Sequence, residues 1–227
     1  AQSACVAGTY NPDTASTSSA ACITTSAGYY SSAGSASQTA CAAGTYQAST
    51  GQSSCTDASA GYYVANTGSA SQTACSAGTY QASTGQVSCI DASAGYYVSS
   101  TAATSQTACA AGTYQANTGQ TSCTDASAGY YVSSTAATNQ VACAAGTYQA
   151  NTGQSSCTDA SAGYYVPTTA ATAQTECAAG TYQPSTGQSS CTDASAGYYV
   201  PATAATSQTA CAAGTYQPST GQSSCTD

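Results

Sequence analysis

The chain has 227 residues and a net charge of −8; 4% of its residues are charged, all of them acidic, and Lys, Arg, His, Met, Phe, Trp and Leu are absent. With no cation it can neither neutralise phosphates nor be drawn to an anionic membrane surface, so nucleic-acid binding is excluded on charge, and it has no run of about 18 apolar residues for a spanning helix. Eight Val and two Ile are its only large aliphatic residues, and at about 25 cal/mol per Å² of apolar area such a chain cannot build one thick core, which argues against a compact globule.

Cysteine remains as the element that can hold the chain together. There are 14 Cys and no His to share a metal, which points to a disulfide framework in an oxidising, extracellular compartment and to no cofactor. The chain starts on Ala with no apolar leader after it, as expected of a mature or trimmed product.

Taken in order, residues 1–40 form a divergent first repeat. Ala1-Gln2-Ser3-Ala4 has the form of the end of a cysteine-free unit, Cys5 and Cys22 lie three residues further apart than later pairs, and Asn11-Pro12-Asp13 occupies the turn. From Cys41 onward the gaps between cysteines alternate 14 and 20, which sets a 34-residue period: repeats 41–74, 75–108, 109–142, 143–176 and 177–210, then a half repeat 211–227. Helical-hairpin repeats share this period, but the apolar stripe at i, i+3, i+4 that they require is missing.

Each copy divides again. Gly44-Thr45-Tyr46 and Gly61-Tyr62-Tyr63 stand half a period apart, and aligning them puts Ala58 where Cys41 stands and Gln72 where Cys55 stands. The chain is therefore built from a 17-residue unit, with cysteines in alternate units. Gly-Thr-Tyr-Gln is a short β-favouring run, Ala-Ser-Thr-Gly or Ala-Asn-Thr-Gly is turn chemistry, and Gln-Ser-Ser-Cys is the expected returning arm. Pro184 and Pro218 open this turn, and Pro167 and Pro201 open the turn of the cysteine-free unit, positions that tolerate a fixed φ. The predicted fold is all-β and disulfide-stapled, an elongated rod- or solenoid-like array of short hairpin units that gain stability by stacking.

Joint replacement of both cysteines in alternate units indicates that the two within a unit are partners. This gives seven bridges, 5–22, 41–55, 75–89, 109–123, 143–157, 177–191 and 211–225; the alternative joins each second Cys to the first Cys of the next bearing unit and strands Cys5 and Cys225. A loop of this length restricts the unfolded chain by on the order of 3 kcal/mol.

Units of Cys, two residues, Gly-Thr-Tyr, a Thr-Gly turn and a second Cys resemble ephrin-receptor-like cysteine-rich repeats. More distantly they are similar to the cysteine-rich modules of tumour-necrosis-factor and growth-factor receptors. That family's usual unit has a further Cys three residues after the second, where this chain has Ala58. The resemblance implies an extracellular, rod-like, disulfide-stapled array and implies no activity.

The chemistry-bearing residues are few. With neither His nor Lys, no Ser or Thr has its usual activating base. Six aspartates, Asp57, Asp91, Asp125, Asp159, Asp193 and Asp227, recur one per repeat, too far apart in a rod for the paired carboxylates of a glycosidase, so no enzyme is expected. The first five are weak calcium candidates, since calcium takes several oxygens and each repeat supplies one carboxylate; a local side-chain-to-backbone turn bond is the simpler role. The tyrosines are expected to pack unit onto unit, one of each Tyr-Tyr pair pointing inward and one outward, with sugar stacking or lateral contact as alternatives. Thr101, Thr104, Thr135, Thr138, Thr168, Thr169, Thr172, Thr203 and Thr206 stand in Ser/Thr-rich turns that, with Pro nearby, resemble O-glycosylated stalks; bare polar turns are the alternative.

The function expected is that of a structural subunit of an extracellular, O-glycosylated fibre or surface coat. Near-identical repeats leave no copy specialised, and the two ends suit head-to-tail self-assembly; the absence of Lys and Arg removes every trypsin site. The alternative is a spacer or ligand-binding ectodomain of a cell-surface receptor or adhesin. Expected partners are further copies of the chain and covalent glycans, with no nucleic acid and no membrane insertion.

Overall fold

The computed structural model describes residues 5–13 and 18–227. Ala1–Ala4, read from the sequence as the end of a cysteine-free unit, lie outside the described residues. The chain falls into two compact units, Ala1–Ala108 with Asn117–Ser122 and Cys109–Ala116 with Cys123–Asp227. Both are built the same way.

Among the described residues there are 12 antiparallel hairpins of two-residue strands, one further bridge between Tyr216 and Thr226, and a single 3-10 turn at Ser19–Ala21. In a cysteine-bearing hairpin Thr45 faces Asp57 and Tyr46 faces Thr56; in the next, cysteine-free one, Tyr62 faces Ala74 and Tyr63 faces Thr73. The seven disulfides join Cys5–Cys22, Cys41–Cys55, Cys75–Cys89, Cys109–Cys123, Cys143–Cys157, Cys177–Cys191 and Cys211–Cys225.

Two local expectations are corrected. The returning strand is Thr56–Asp57, beyond the second cysteine, and not Gln52–Cys55. Segment 47–54 wraps instead around the amide of Gln47, which donates to the Ser54 carbonyl (2.9 Å) and accepts from the Ser49 amide (3.1 Å). A side chain that supplies both bonds gives the backbone an alternative to a ladder. Nor do the Tyr-Tyr pairs divide into one inward and one outward ring, since Tyr62 and Tyr63 are both half-buried. A strand of two residues has no fully covered face on which to bury a ring.

The core is a column of small residues. Cys41, Ala58 and Cys75 in the first unit, and Cys143, Ala160, Cys177 and Ala194 in the second, have no exposed surface, and Val64, Val98, Val132, Val166 and Val200 are buried beside such positions. Where the first cysteine-free hairpin puts Thr25 and Ser31 at equivalent sites, the two hydroxyls bond each other (3.0 Å) and Thr25 Oγ1 donates to the Gly8 carbonyl, which removes the penalty of burying them unpaired. No buried side-chain polar atom among the described residues lacks a partner.

Stacking rests on backbone. In the first unit Gly44 N–H donates to the Val64 carbonyl (2.8 Å), Gln47 N–H to Ser69 (3.1 Å) and Gly85 N–H to Ala58 (2.8 Å); in the second, Gly146 N–H to Val166 and Gly187 N–H to Ala160 repeat the pattern at 2.8 Å. Close approach demands glycine at one place in these hairpins: a Cβ on Gly44 would lie on the carbonyl of Gly85, and one on Gly146 on the carbonyl of Gly187. Within each unit a hairpin therefore touches both the next and the next but one.

Candidate interaction surface

The cysteine-free hairpins replace their missing staple with a hydrogen bond. Gln72 Oε1 accepts from the Ser59 amide at 2.7 Å, and Gln106, Gln140, Gln174 and Gln208 do the same for Ser93, Ser127, Ser161 and Ser195. Gln38 caps Ser26 in the first such hairpin (2.9 Å). From Ala58 onward Ala and Gln thus occupy the two half-cystine positions, Ala filling the buried one and Gln bridging from the half-buried one, and Thr25 takes the buried place in the first such hairpin. Sequence reasoning missed this role, although the alignment of Gln72 with Cys55 carried the signal. Gln140→Ala is expected to cost about 1 kcal/mol, the net worth of one hydrogen bond. It should expose the Ser127 amide to hydrogen exchange while the Tyr130 amide, bonded to the Ser127 carbonyl at 2.9 Å, stays protected; equal loss at both would show general unfolding instead of a lost staple.

The five repeat aspartates from Asp57 to Asp193 lie on returning strands, exposed, each in a different hairpin. The carboxyl of Asp57 packs against the turn glycine of the following cysteine-bearing hairpin, its carbon 3.6 Å from where a Cβ on Gly85 would be; Asp91 meets Gly119, Asp125 Gly153, Asp159 Gly187 and Asp193 Gly221 in the same way. The stack therefore places each of these carboxylates beside a turn glycine. Among the described residues no three His, Cys, Asp or Glu side chains come together as a metal site would require.

Between hairpins run shallow open grooves. One of about 430 Å³ lies among Tyr63, Thr73, Ser76, Thr79 and the half-cystine Cys89, and a second of about 500 Å³ recurs two periods on, among Tyr131, Val141, Thr147 and Cys157. Each offers a tyrosine ring, a disulfide sulfur and hydroxyls with no charge, a lining suited to neutral, partly apolar groups. Val87 and Ile90 of the cysteine-bearing hairpin beside the first groove, 49% and 50% exposed, stand where the other copies from Cys41 onward carry Ser or Thr, while the first copy has Ile23 at the position of Ile90.

The Thr-rich turns lie on the surface. Thr101, Thr104, Thr135, Thr138, Thr168, Thr169, Thr172, Thr203 and Thr206 are all exposed. The first alanine inside each turn is unusual: Ala102, Ala136, Ala170 and Ala204 have φ of 53° to 56°, where the earlier cysteine-free hairpins have Gly34 and Gly68. A left-handed Ala costs roughly 1–2 kcal/mol, and the stack meets that cost, since the Ala102 and Ala170 amides donate to the Cys75 and Cys143 carbonyls at 2.8 Å.

Compared with known families, residues 28–75 and 61–109 match the sequence pattern described as tyrosine-protein kinase ephrin type A/B receptor-like. No curated protein matches the chain. The matched family is a non-catalytic ectodomain type, and with seven disulfides in repeated units it points to an extracellular or cell-surface setting. No helix among the described residues is long and apolar enough to cross a membrane.

Proposed function

We propose that these ephrin-receptor-like repeats serve as a structural subunit of an extracellular fibre or surface coat, assembling end to end and carrying O-linked sugars, with no catalysis. The observation that carries this reading is the identity of the joints. The glycine-to-carbonyl approach made by Gly44 on Gly85 and Gly61 on Ala102 in one unit is repeated by Gly129 on Ala170, Gly146 on Gly187 and Gly163 on Ala204 in the other. A surface that each hairpin offers to its successor is self-complementary in a head-to-tail sense, and such contacts generate open filaments when rotation does not close them. O-linked sugars supply the solubility that eight carboxylates and no cation do not.

Electron microscopy of unreduced material from the native source tests this. Filaments with an axial repeat commensurate with the 34-residue period are expected; discrete particles that never join would overturn it. One observation favours a second reading, a spacer or ligand-binding ectodomain: the hairpin beside the Tyr63 groove exposes two large aliphatic side chains, Val87 and Ile90. On that reading Val87→Ser with Ile90→Thr, which restores residues found in the other copies from Cys41 onward, abolishes ligand capture and leaves the fold intact.

A further inference from the structure

The turns of the two hairpin types use their side chains in opposite ways. In cysteine-bearing hairpins the turn is braced by amides: Gln47 holds Ser49 and Ser54, and Gln52 Nε2 donates to the Thr50 carbonyl at 3.2 Å. Thr50 is thus flanked by two glutamine side chains. In the Gly68 turn a hydroxyl is engaged, Ser69 Oγ donating to the Asn66 carbonyl at 2.7 Å. From residue 101 onward the cysteine-free turns have neither device.

In those turns the backbone is committed and the side chains are free. Ala102 N–H donates to Cys75 and the Ala103 carbonyl accepts from Gln81 (3.0 Å); Ala136, Ala170 and Ala204 donate to Cys109, Cys143 and Cys177, and Ala137, Ala171 and Ala205 accept from Gln115, Gln149 and Gln183. The Ala102 carbonyl also packs over Gly61. Two alanines locked on both sides into the stack leave Thr101 before them and Thr104 after them exposed, with only small neighbours. The first Ala is held at positive φ in all four turns, so the conformation is imposed by the stack and not chosen by the turn residues.

We infer that Thr101, Thr104 and their equivalents in each later repeat are the acceptors of O-linked sugar, displayed in a fixed direction by the locked Ala-Ala pair. The assignment rests on the extracellular reading above and names its modified residues. In the transfer, the Thr Oγ1 oxygen attacks the anomeric carbon of a sugar nucleoside diphosphate, the carbon–oxygen bond to the diphosphate breaks, and the hydroxyl proton passes to a base of the transferase. The nucleoside diphosphate leaves, and no electron is gained or lost.

The test is site mapping on the chain isolated from its native source, digested with elastase because trypsin has no site, and sequenced by electron-transfer fragmentation, which keeps sugars in place. Hexose or N-acetylhexosamine increments are expected on Thr101, Thr104 and the equivalents in each later cysteine-free turn, and not on Thr50, Thr84 or Thr118. Expression of T101A/T104A in the same cells should remove the increments of that one turn and no others. Unmodified threonines throughout, or equal occupancy on the glutamine-braced turns, would overturn the assignment. The two readings fail separately: sugar-free filaments sink this one together with the sugar part of the fibre reading and leave end-to-end assembly standing, whereas glycosylated molecules that never assemble sink the fibre and leave this one.

Discussion

Gly146→Ala is expected to destabilise the second unit by about 4 kcal/mol, while Gly214→Ala, at the same position of a later hairpin, costs about 1–2 kcal/mol. Both residues have nearly the same backbone, φ +90° and +92°, so the left-handed strain is common to the two substitutions. They differ in surroundings. A Cβ on Gly146 would lie on the carbonyl of Gly187, whose carbon would be 2.9 Å away, whereas Gly214 has nothing within 4 Å. A backbone atom cannot yield as a flexible side chain would, so the joint must open, and opening it lengthens the Gly187 amide to Ala160 carbonyl bond of 2.8 Å. Because stability in such arrays is a sum of units and neighbour interfaces, the loss stays local: hydrogen-exchange protection should fall over residues 143–193 and hold at the far end of the unit. Urea titration of both variants, followed by tyrosine fluorescence, gives the magnitudes. Equal losses would mean that strain alone, and not the close approach, fixes glycine there.

The second large effect comes from converting one hairpin type into the other. Cys143→Ser with Cys157→Ser removes a bridge with a sequence separation of 14, a loss of about 3 kcal/mol by loop entropy. It also leaves a hydroxyl at the Cys143 position, which has no exposed surface, at about 1–3 kcal/mol more if unpaired. Cys143→Ala with Cys157→Gln loses the same bridge but reproduces Ala160 and Gln174 of the next hairpin, with the Ala144 amide as the donor to the introduced glutamine side chain. Its expected stability lies between those of the native chain and the double serine variant, above the latter by about 2 kcal/mol. If the Ala/Gln variant melts with the Ser/Ser variant, the glutamines are not staples and the cysteine-free hairpins are held by stacking alone.

Some of this was legible in the residues and some was not, and particular positions show why. The 17-residue unit, its alternation and the partner of each cysteine follow from spacing, because a repeat writes the same local geometry many times and a bridge within a unit leaves its mark when both halves vanish together. The resemblance to ephrin-receptor-like repeats rests on the same Gly-Thr-Tyr and cysteine spacing. The role of Gln72 could not be read with the same assurance: Gln at an exposed-looking position is common, and only the 2.7 Å bond to the Ser59 amide distinguishes a staple from a solvated side chain. The returning strand lies beyond Gln-Ser-Ser-Cys, and nothing in those residues announces that Gln47 claims the carbonyl of Ser54.

The sequence by itself determined the composition of the core and the covalent frame: with no Leu, Phe, Met or Trp, only a stack of small stapled hairpins was open to this chain. The tertiary structure decided what lies beside what. It set Asp57 against Gly85, left both rings of each Tyr-Tyr pair half-buried over most of the array, and held Ala102 at a φ of 53°. The physical reason is one of range. Spacing and composition constrain contacts within a hairpin, where the chain itself fixes the separation, whereas these features arise between a hairpin and those one and two further on, where close backbone packing sets the geometry and the side chains accommodate it.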